Sequence, residues 1–422
     1  VDIAVIGTGI AGLTCVELLR QHHRVVVFEA DERPGGHTHT VDVSLPDGDL
    51  AVDTGFLVYT ERAYPLLTRL FSRLAIATQP ADMSFSVSDE VTGVEWRGTS
   101  PATVLAQPSN ALRPAFWRML VDVVRFQRTG QRMLRHRQDD ELTTVRRLLA
   151  GGRWSTDMVE GFLLPFGSAI WSADPDDFLE MPAQTLMAFL DRHGMLRLGD
   201  QPQWRTVTGG ARRYVDAILA PVALAGDLHL GHRVTQVARS PDGATLTVEA
   251  GGRRHQVHAD EVIIATHSDQ ALAMLVDPDP LEAKALGATR YQPNRALLHT
   301  DARMLPAARR ARASWNYHRL ADPPGQATVT YDIGRLQSLP TTTPVLVTLN
   351  RESAVDPAAV LRPLTFAHPV IDAASVAARS LHDQVNGRRR TWFCGAYWGD
   401  GFHEDGARSA VAVCRRLGGD SL

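Results

Sequence analysis

The stretch Asp2-Ile-Ala-Val-Ile-Gly7-Thr-Gly9-Ile10-Ala11-Gly12, continued by Val25-Val-Val-Phe28-Glu29, decides the fold. Residues 2–6 are a short apolar run, the glycines open a tight turn, and residues 13–21 have the pattern of a helix. Residues 25–28 are a second apolar strand, and the acid at its tip stands 22 residues after Gly7. A strand, a glycine turn, a helix and an acid-tipped strand form the arrangement that binds an adenine dinucleotide. Gly7 permits the sharp turn, Gly9 presents no Cβ to a pyrophosphate, and Gly12 lets the helix pack on its strand. The helix start at Ile10 and Ala11 offers free N–H groups and partial positive charge to phosphates. Glu29, with Ala30 beside it, is placed to accept hydrogen bonds from ribose hydroxyls.

Working outward, Arg33-Pro-Gly35-Gly36-His37-Thr-His39-Thr40 brings a second glycine pair just past the acid. This predicts a loop folded over the cofactor, with its backbone and Arg33 facing the pyrophosphate. Residues 41–45 and 50–52 read as a strand pair around a turn, after which Asp53-Thr54-Gly55-Phe56 returns toward the cofactor. With these motifs the sequence resembles the flavin-dependent amine oxidase family and its relatives, which include carotene desaturases and a fatty acid isomerase. Within that group it is similar to a bacterial branch that also resembles the N-terminal region of plant cyclopropane fatty acid synthases. The resemblance runs along almost the whole chain.

The resemblance implies FAD and carries further residues with it; Cys394 falls inside a predicted strand as a small buried hydrophobe, so the FAD is expected to be non-covalent. Val234 matches a position that meets the adenine end through backbone atoms, and Ala265-Thr266 ends a strand beside the first one. Thr391-Trp-Phe-Cys394-Gly395, the glycines at 399, 401 and 406, and a helix over residues 407–417 resemble the family's closing flavin motif. Gly395, Asp405, Gly406 and Ala407 are the positions carried over, and the last helix is expected to aim its N-terminus at the flavin.

The expected fold is α/β: a doubly wound, Rossmann-like FAD-binding domain of the glutathione reductase or amine oxidase type, with a second sheet-plus-helix substrate domain. Residues 1–75, 205–288 and 385–422 are assigned to the first and residues 76–204 and 289–384 to the second. A chain of 422 residues, 44% hydrophobic, can fill both cores. A formal net charge of -3 gives no reason to expect nucleic acid as a partner. Cys15, Cys394 and Cys414 are too scattered for a disulfide framework or a CxxC metal site, which fits a reducing cytoplasm. No histidine–carboxylate metal spacing, signal peptide or membrane span is expected.

Residues 114–137 read as a helix in which Arg118, Arg125 and Arg132, and likewise Arg128 and Arg135, recur every seven residues on one face. That face is either a solvated surface, the simpler account, or a peripheral contact with an anionic membrane surface. Residues 161–171 and 181–196 are strongly apolar and serve either as core or as the lining of a channel for an apolar substrate. Residues 291–384 alternate like antiparallel sheet, with residues 301–313 and 321–325 as edge connections.

A flavin accepts hydride itself, so the protein must position a C–H bond and exclude competing reactions. The resemblance implies a lysine near the flavin, but the matching stretch Tyr291-Gln-Pro-Asn294-Arg295-Ala296 holds none, and Lys284 is the chain's only lysine. Arg295 is the nearest cation, and it is no base at ordinary pH. His37, which replaces the family's usual arginine, is a second catalytic candidate, and Trp171 is a third, placed over the substrate by the resemblance. These readings predict an FAD-dependent oxidoreductase taking hydride from an apolar, lipid-like small molecule. The alternatives are an amine oxidase acting on a C–N bond, a flavin-dependent fatty acid isomerase, and an FAD-binding partner of a lipid-modifying methyltransferase.

Overall fold

Asp2–Ile6 and Arg24–Phe28 lie side by side and parallel, and alternate side chains of each run enter cores on opposite faces. Ile3, Val5, Val25 and Val27 face one way, while Ala4, Ile6 and Phe28 face the other. A strand apolar on both faces is what a fully buried parallel sheet demands. The sheet has five strands in the order Leu228–His229, Arg24–Phe28, Asp2–Ile6, Glu261–Ile264, Thr391–Phe393, all parallel. The computed structural model describes residues 1–136, 143–197, 199, 201–322 and 325–422.

One face of this sheet is covered by the helices Ile10–Leu19, Arg212–Leu224 and His403–Arg416. The other is covered by an antiparallel meander of Arg233–Ser240, Gly243–Ala250 and Arg253–Ala259, and Ala271, Met274, Ala285 and Leu286 of the short helices Ser268–Met274 and Pro280–Leu286 pack into the same core. These three strands are joined by short turns and pair with their sequence neighbours, so they need no crossover helix.

The second large sheet has seven strands, in the order Val360–Pro369, Tyr291–His299, Leu346–Leu349, Val329–Asp332, Trp315–Arg319, Phe85–Asp89, Val94–Arg97. Its pairing is antiparallel except between Trp315–Arg319 and Phe85–Asp89. Residues 114–136 and 143–192 supply a helical layer whose Phe116, Phe126, Leu163, Trp171 and Phe189 share a core with Val87, Leu298, Tyr317 and Val347 of the sheet. Within that layer residues 156–171 are continuously helical, with a π turn at Val159–Leu163 just ahead of Pro165. Proline has no N–H for an interior helical bond, and the widened turn accommodates the loss.

The predicted helix over residues 114–137 is observed as Pro114–His136, and Arg137 lies outside the described residues. Of the connection at residues 321–325, Pro323 and Pro324 lie outside the described residues. The three cysteines, remote in sequence, meet in the helix-side core, with Cys15 Sγ 3.7 Å from Cys394 Sγ; all are free and buried. No helix among the described residues is long and apolar enough to cross a membrane.

Candidate functional site

The glycine turn leads from the end of Asp2–Ile6 into the helix Ile10–Leu19. A Cβ on Gly12 would stand 2.0 Å from Gly7 O, so only glycine lets the helix sit this close to the turn. At Gly9 the situation is reversed, since a Cβ there would meet nothing within 4 Å. The helix N-terminus has no side-chain cap and no acid in its first turn, so its donors remain available to an anion.

The closing helix, His403–Arg416, packs along the first one, and a Cβ on Gly406 would stand 2.7 Å from Ile10 Cγ2. Gly406 therefore brings the starts of the two helices together. This helix begins at His403, earlier than residue 407 expected from the glycines, because Asp405 Oδ2 accepts Asp400 N at 3.0 Å and Phe402 N at 3.1 Å. Asp405 thus holds the preceding loop, and Ala407 is buried behind it. Glu404 caps a neighbour, accepting Leu66 N at 3.0 Å and Leu67 N at 3.1 Å at the start of Pro65–Arg73.

Glu29 Oε2 accepts Thr8 N at 2.9 Å and Thr8 Oγ1 at 2.5 Å, while Thr8 Oγ1 accepts Gly35 N at 2.9 Å. The acid therefore ties the first turn to the second glycine loop, beside Ala30. Arg33 turns back on that loop, donating to Pro34 O, Gly36 O and Thr38 O at 3.0–3.2 Å, so its guanidinium orders the loop instead of facing outward. His232 N donates to Glu29 O at 2.8 Å, which fixes the entry to the meander strand bearing Val234. Ala265 N donates to Ile6 O at 2.8 Å, and Gly395 N to Ser409 Oγ at 2.9 Å, placing Ala265, Thr266 and Gly395 at the same sheet end.

The loop carrying His37 is held by Phe56 N donating to His37 O at 2.9 Å and Thr54 N to His39 O at 2.8 Å, with Gly55 between them. His37 lies 5.9 Å from His267, 5.4 Å from His368 and 5.6 Å from Phe366, ring centre to ring centre. His267 stacks on Tyr291 at 4.2 Å. Three imidazoles thus gather where the dinucleotide sheet meets the strands Tyr291–His299 and Val360–Pro369. Burial, and then the neighbouring His368 and His267, push His37 well below the ordinary histidine value. Burial also lowers His267 and brings His368 down to about 4, so all three are uncharged at neutral pH. His37 Nε2 is buried with no hydrogen-bond partner among the described residues.

Asn294 and Arg295 point to opposite sides of their strand, as the period of two requires. Asn294 is buried, donating to His368 Nδ1 at 2.9 Å and Ser172 O at 3.1 Å and accepting from Asn350 Nδ2 at 2.7 Å. An amide N–H only donates, so His368 carries its proton on Nε2. Arg295, by contrast, is 81% exposed and pairs with Glu352 at 3.1 Å. It does not join the site, and Lys284 is likewise exposed, on the helix Pro280–Leu286. Trp171 is buried at the head of the closing helix, where Nε1 donates to Asp400 O at 3.0 Å and the ring lies 4.6 Å from Phe189 and 6.0 Å from Phe402.

His267, His368 and Asn294 were not among the residues expected to form the site. The signal for His368 is the period-two series Leu364, Phe366, His368 along one strand, and for His267 it is adjacency to Ala265-Thr266.

The model of the family described as flavin containing amine oxidoreductase matches residues 10–304, more than two thirds of the chain. The chain belongs to the flavin-containing amine oxidoreductase family. The family is one of flavoproteins, and its cofactor is FAD. The open side of Gly9, the uncapped helix start and the unpartnered His37 Nε2 fit that group. A Mycobacterium tuberculosis protein named for flavin-containing monoamine oxidase, AofH, is 27% identical over 296 residues, which is 66% of this chain. The chain spans 59% of the length of that curated relative. Among solved structures, cyclohexylamine oxidase from Brevibacterium oxydans IH-35A matches with TM-score 0.68 and 17% identity over 99% of both chains. A conjugated-linoleic-acid-producing (CLA) fatty acid isomerase from P. acnes matches with TM-score 0.69 and 15% identity over 98% of both chains. At these identities the two structures establish the shared fold.

Proposed function

We propose that this flavoprotein removes a hydride from an apolar, lipid-like substrate. The observation that carries the proposal is Asn294, buried and fully engaged in the stretch where the amine oxidase resemblance implies a lysine, beside histidines that burial keeps neutral. An amine arrives at neutral pH as an ammonium ion and must lose a proton before it yields a hydride. Imidazoles whose basicity burial depresses, that of His368 to about 4, are poor acceptors for that proton. A C–H bond in an uncharged chain needs no proton removed before it yields its hydride; for net loss of two hydrogens the second leaves as a proton from the adjacent carbon, whose acidity beside the developing positive charge lets water or a weakly basic imidazole accept it.

Gly7, Gly9, Gly12 and the two converging helix starts would hold FAD, with Glu29 fixing the turn. When bound, FAD supplies the hydride acceptance. His368, its tautomer set by Asn294, keeps Nε2–H as a neutral donor. Trp171 and Phe402 contribute apolar surface that excludes water from this end of the closing helix. The same neutral surroundings suit an isomerase that returns the hydride to another carbon, which is the second reading. A further alternative, supported by the likeness to the N-terminal region of plant cyclopropane fatty acid synthases, is an FAD-binding partner of a lipid-modifying methyltransferase, with co-purification as its check.

Incubation with unsaturated fatty acids and acyl lipids, followed by mass spectrometry, separates the readings. Loss of two hydrogens supports oxidation, a product of unchanged mass with moved double bonds supports isomerisation, and turnover of amines alone overturns both.

A further inference from the structure

We propose that the outer face of the helix Pro114–His136 docks the protein on an anionic lipid surface. The inner face of this helix is committed: Phe116, Met119 and Phe126 are buried in the core shared with Trp171 and Phe189. The outer face presents Arg118, Val121, Arg125, Arg128 and Arg132, spaced three or four apart, with Trp117 beside the first of them, and all six are exposed. Its leading end is apolar. Leu112, just before the helix, is 85% exposed, Trp117 48% and Val121 65%, and the indole N–H of Trp117 is tied to Ala111 O at 3.0 Å. Three of the eight exposed large apolar side chains among the described residues therefore fall between positions 112 and 121, a local patch rather than the usual scatter.

The rest of the face is cationic. Arg118, Arg128 and Arg132 have no ion-pair or hydrogen-bond partner among the described residues. The acid of this helix, Asp122, is buried and occupied by Arg125 Nη1 at 2.8 Å and Ser155 N at 2.9 Å. A helix with tryptophan and aliphatic side chains beside arginines that are unpaired among the described residues suits the boundary between headgroups and acyl chains, where both are accommodated. Charge decides against a second copy of the chain on the same face, because a two-fold contact would set arginine against arginine. The inner side of this helix packs on Ala183–Arg192, whose Phe189 lies 4.8 Å from Phe402, so the docking face is two helices from the closing flavin motif.

The test is co-sedimentation of the FAD-loaded protein with vesicles of phosphatidylcholine alone or mixed with phosphatidylglycerol. The result expected is binding to the mixed vesicles only, weakened by salt. Arg118→Gln, Arg128→Gln and Arg132→Gln should each reduce it roughly five-fold, and Trp117→Ser with Val121→Ser should reduce it further, with melts unchanged as the folding control. Equal binding to both vesicles, no binding to either, or a wild-type dimer dissolved by the Trp117→Ser and Val121→Ser pair would overturn the proposal. The lipid and salt dependence of the wild type needs no variant. Because the assay involves no turnover, its failure leaves the hydride reading standing.

Discussion

Replacing Gly9 by alanine separates cofactor binding from folding. Gly9 has φ -64 and ψ 175, values that any residue adopts, and a Cβ there meets nothing within 4 Å. Without FAD, the variant should be as stable as the parent, or more so by about 0.4–1 kcal/mol through the less flexible unfolded chain. With FAD, the added methyl enters the space assigned to the pyrophosphate, and an overlap of this size costs about 1–3 kcal/mol. That corresponds to roughly 5-fold to 150-fold weaker binding. Gly12→Ala provides the contrast: its Cβ would stand 2.0 Å from the carbonyl oxygen of Gly7, so the fold itself should suffer. The assay is titration of FAD-depleted protein with FAD, followed by flavin fluorescence, with thermal melts of the same samples. A Gly9→Ala protein that binds FAD as tightly as the parent refutes the placement of the pyrophosphate. A melt several degrees lower without FAD refutes the claim that the space is open.

Arg295→Ala should leave FAD affinity and turnover within about two-fold of the parent, since the side chain is exposed on the other side of its strand; a larger change in a kinetic assay would return Arg295 to the site. Asn294→Ala strands the partners of a buried amide and should cost about 1–3 kcal/mol in denaturant titration. Glu404→Gln weakens the cap on Pro65–Arg73 and should cost about 1 kcal/mol in melts while the flavin spectrum stays unchanged. Burial raises Asp53 from 3.8 to about 6, so the folded chain keeps a proton that the unfolded chain releases across that window. This group therefore favours the fold fully below about pH 4, and its contribution falls by about 3 kcal/mol as pH rises to 6 and beyond. Stability of the parent relative to Asp53→Asn should decline by that amount between pH 4 and 7, and a flat difference would contradict the assignment.

The dinucleotide sheet was legible because both early strands are apolar throughout and bounded by glycine and acid. The meander strand Arg253–Ala259 was not, since Arg253, Arg254, His255 and Gln256 are exposed and give no apolar alternation, whereas Gly243–Ala250 does alternate, with Ala244, Leu246 and Val248 inward, and was missed. Their pairing is imposed by neighbouring strands. The start of the closing helix was misplaced for a related reason. Its glycines read as loop, while the cap that starts the helix at His403 comes from Asp405 reaching back to two backbone donors. At the site, local motifs pointed to the glycine turns and their spacing. The histidine group was hidden because His37, His267 and His368 are brought together only by packing of two sheets. Arg295 looked central from charge alone, but the alternation of its strand sends it outward and Asn294 inward.

The most direct measurement is anaerobic titration of the FAD-loaded protein with unsaturated acyl lipids and, separately, with amines, read as bleaching of the flavin's visible absorbance. Bleaching by a lipid and none by amines is the expected result. Bleaching by amines alone would contradict it.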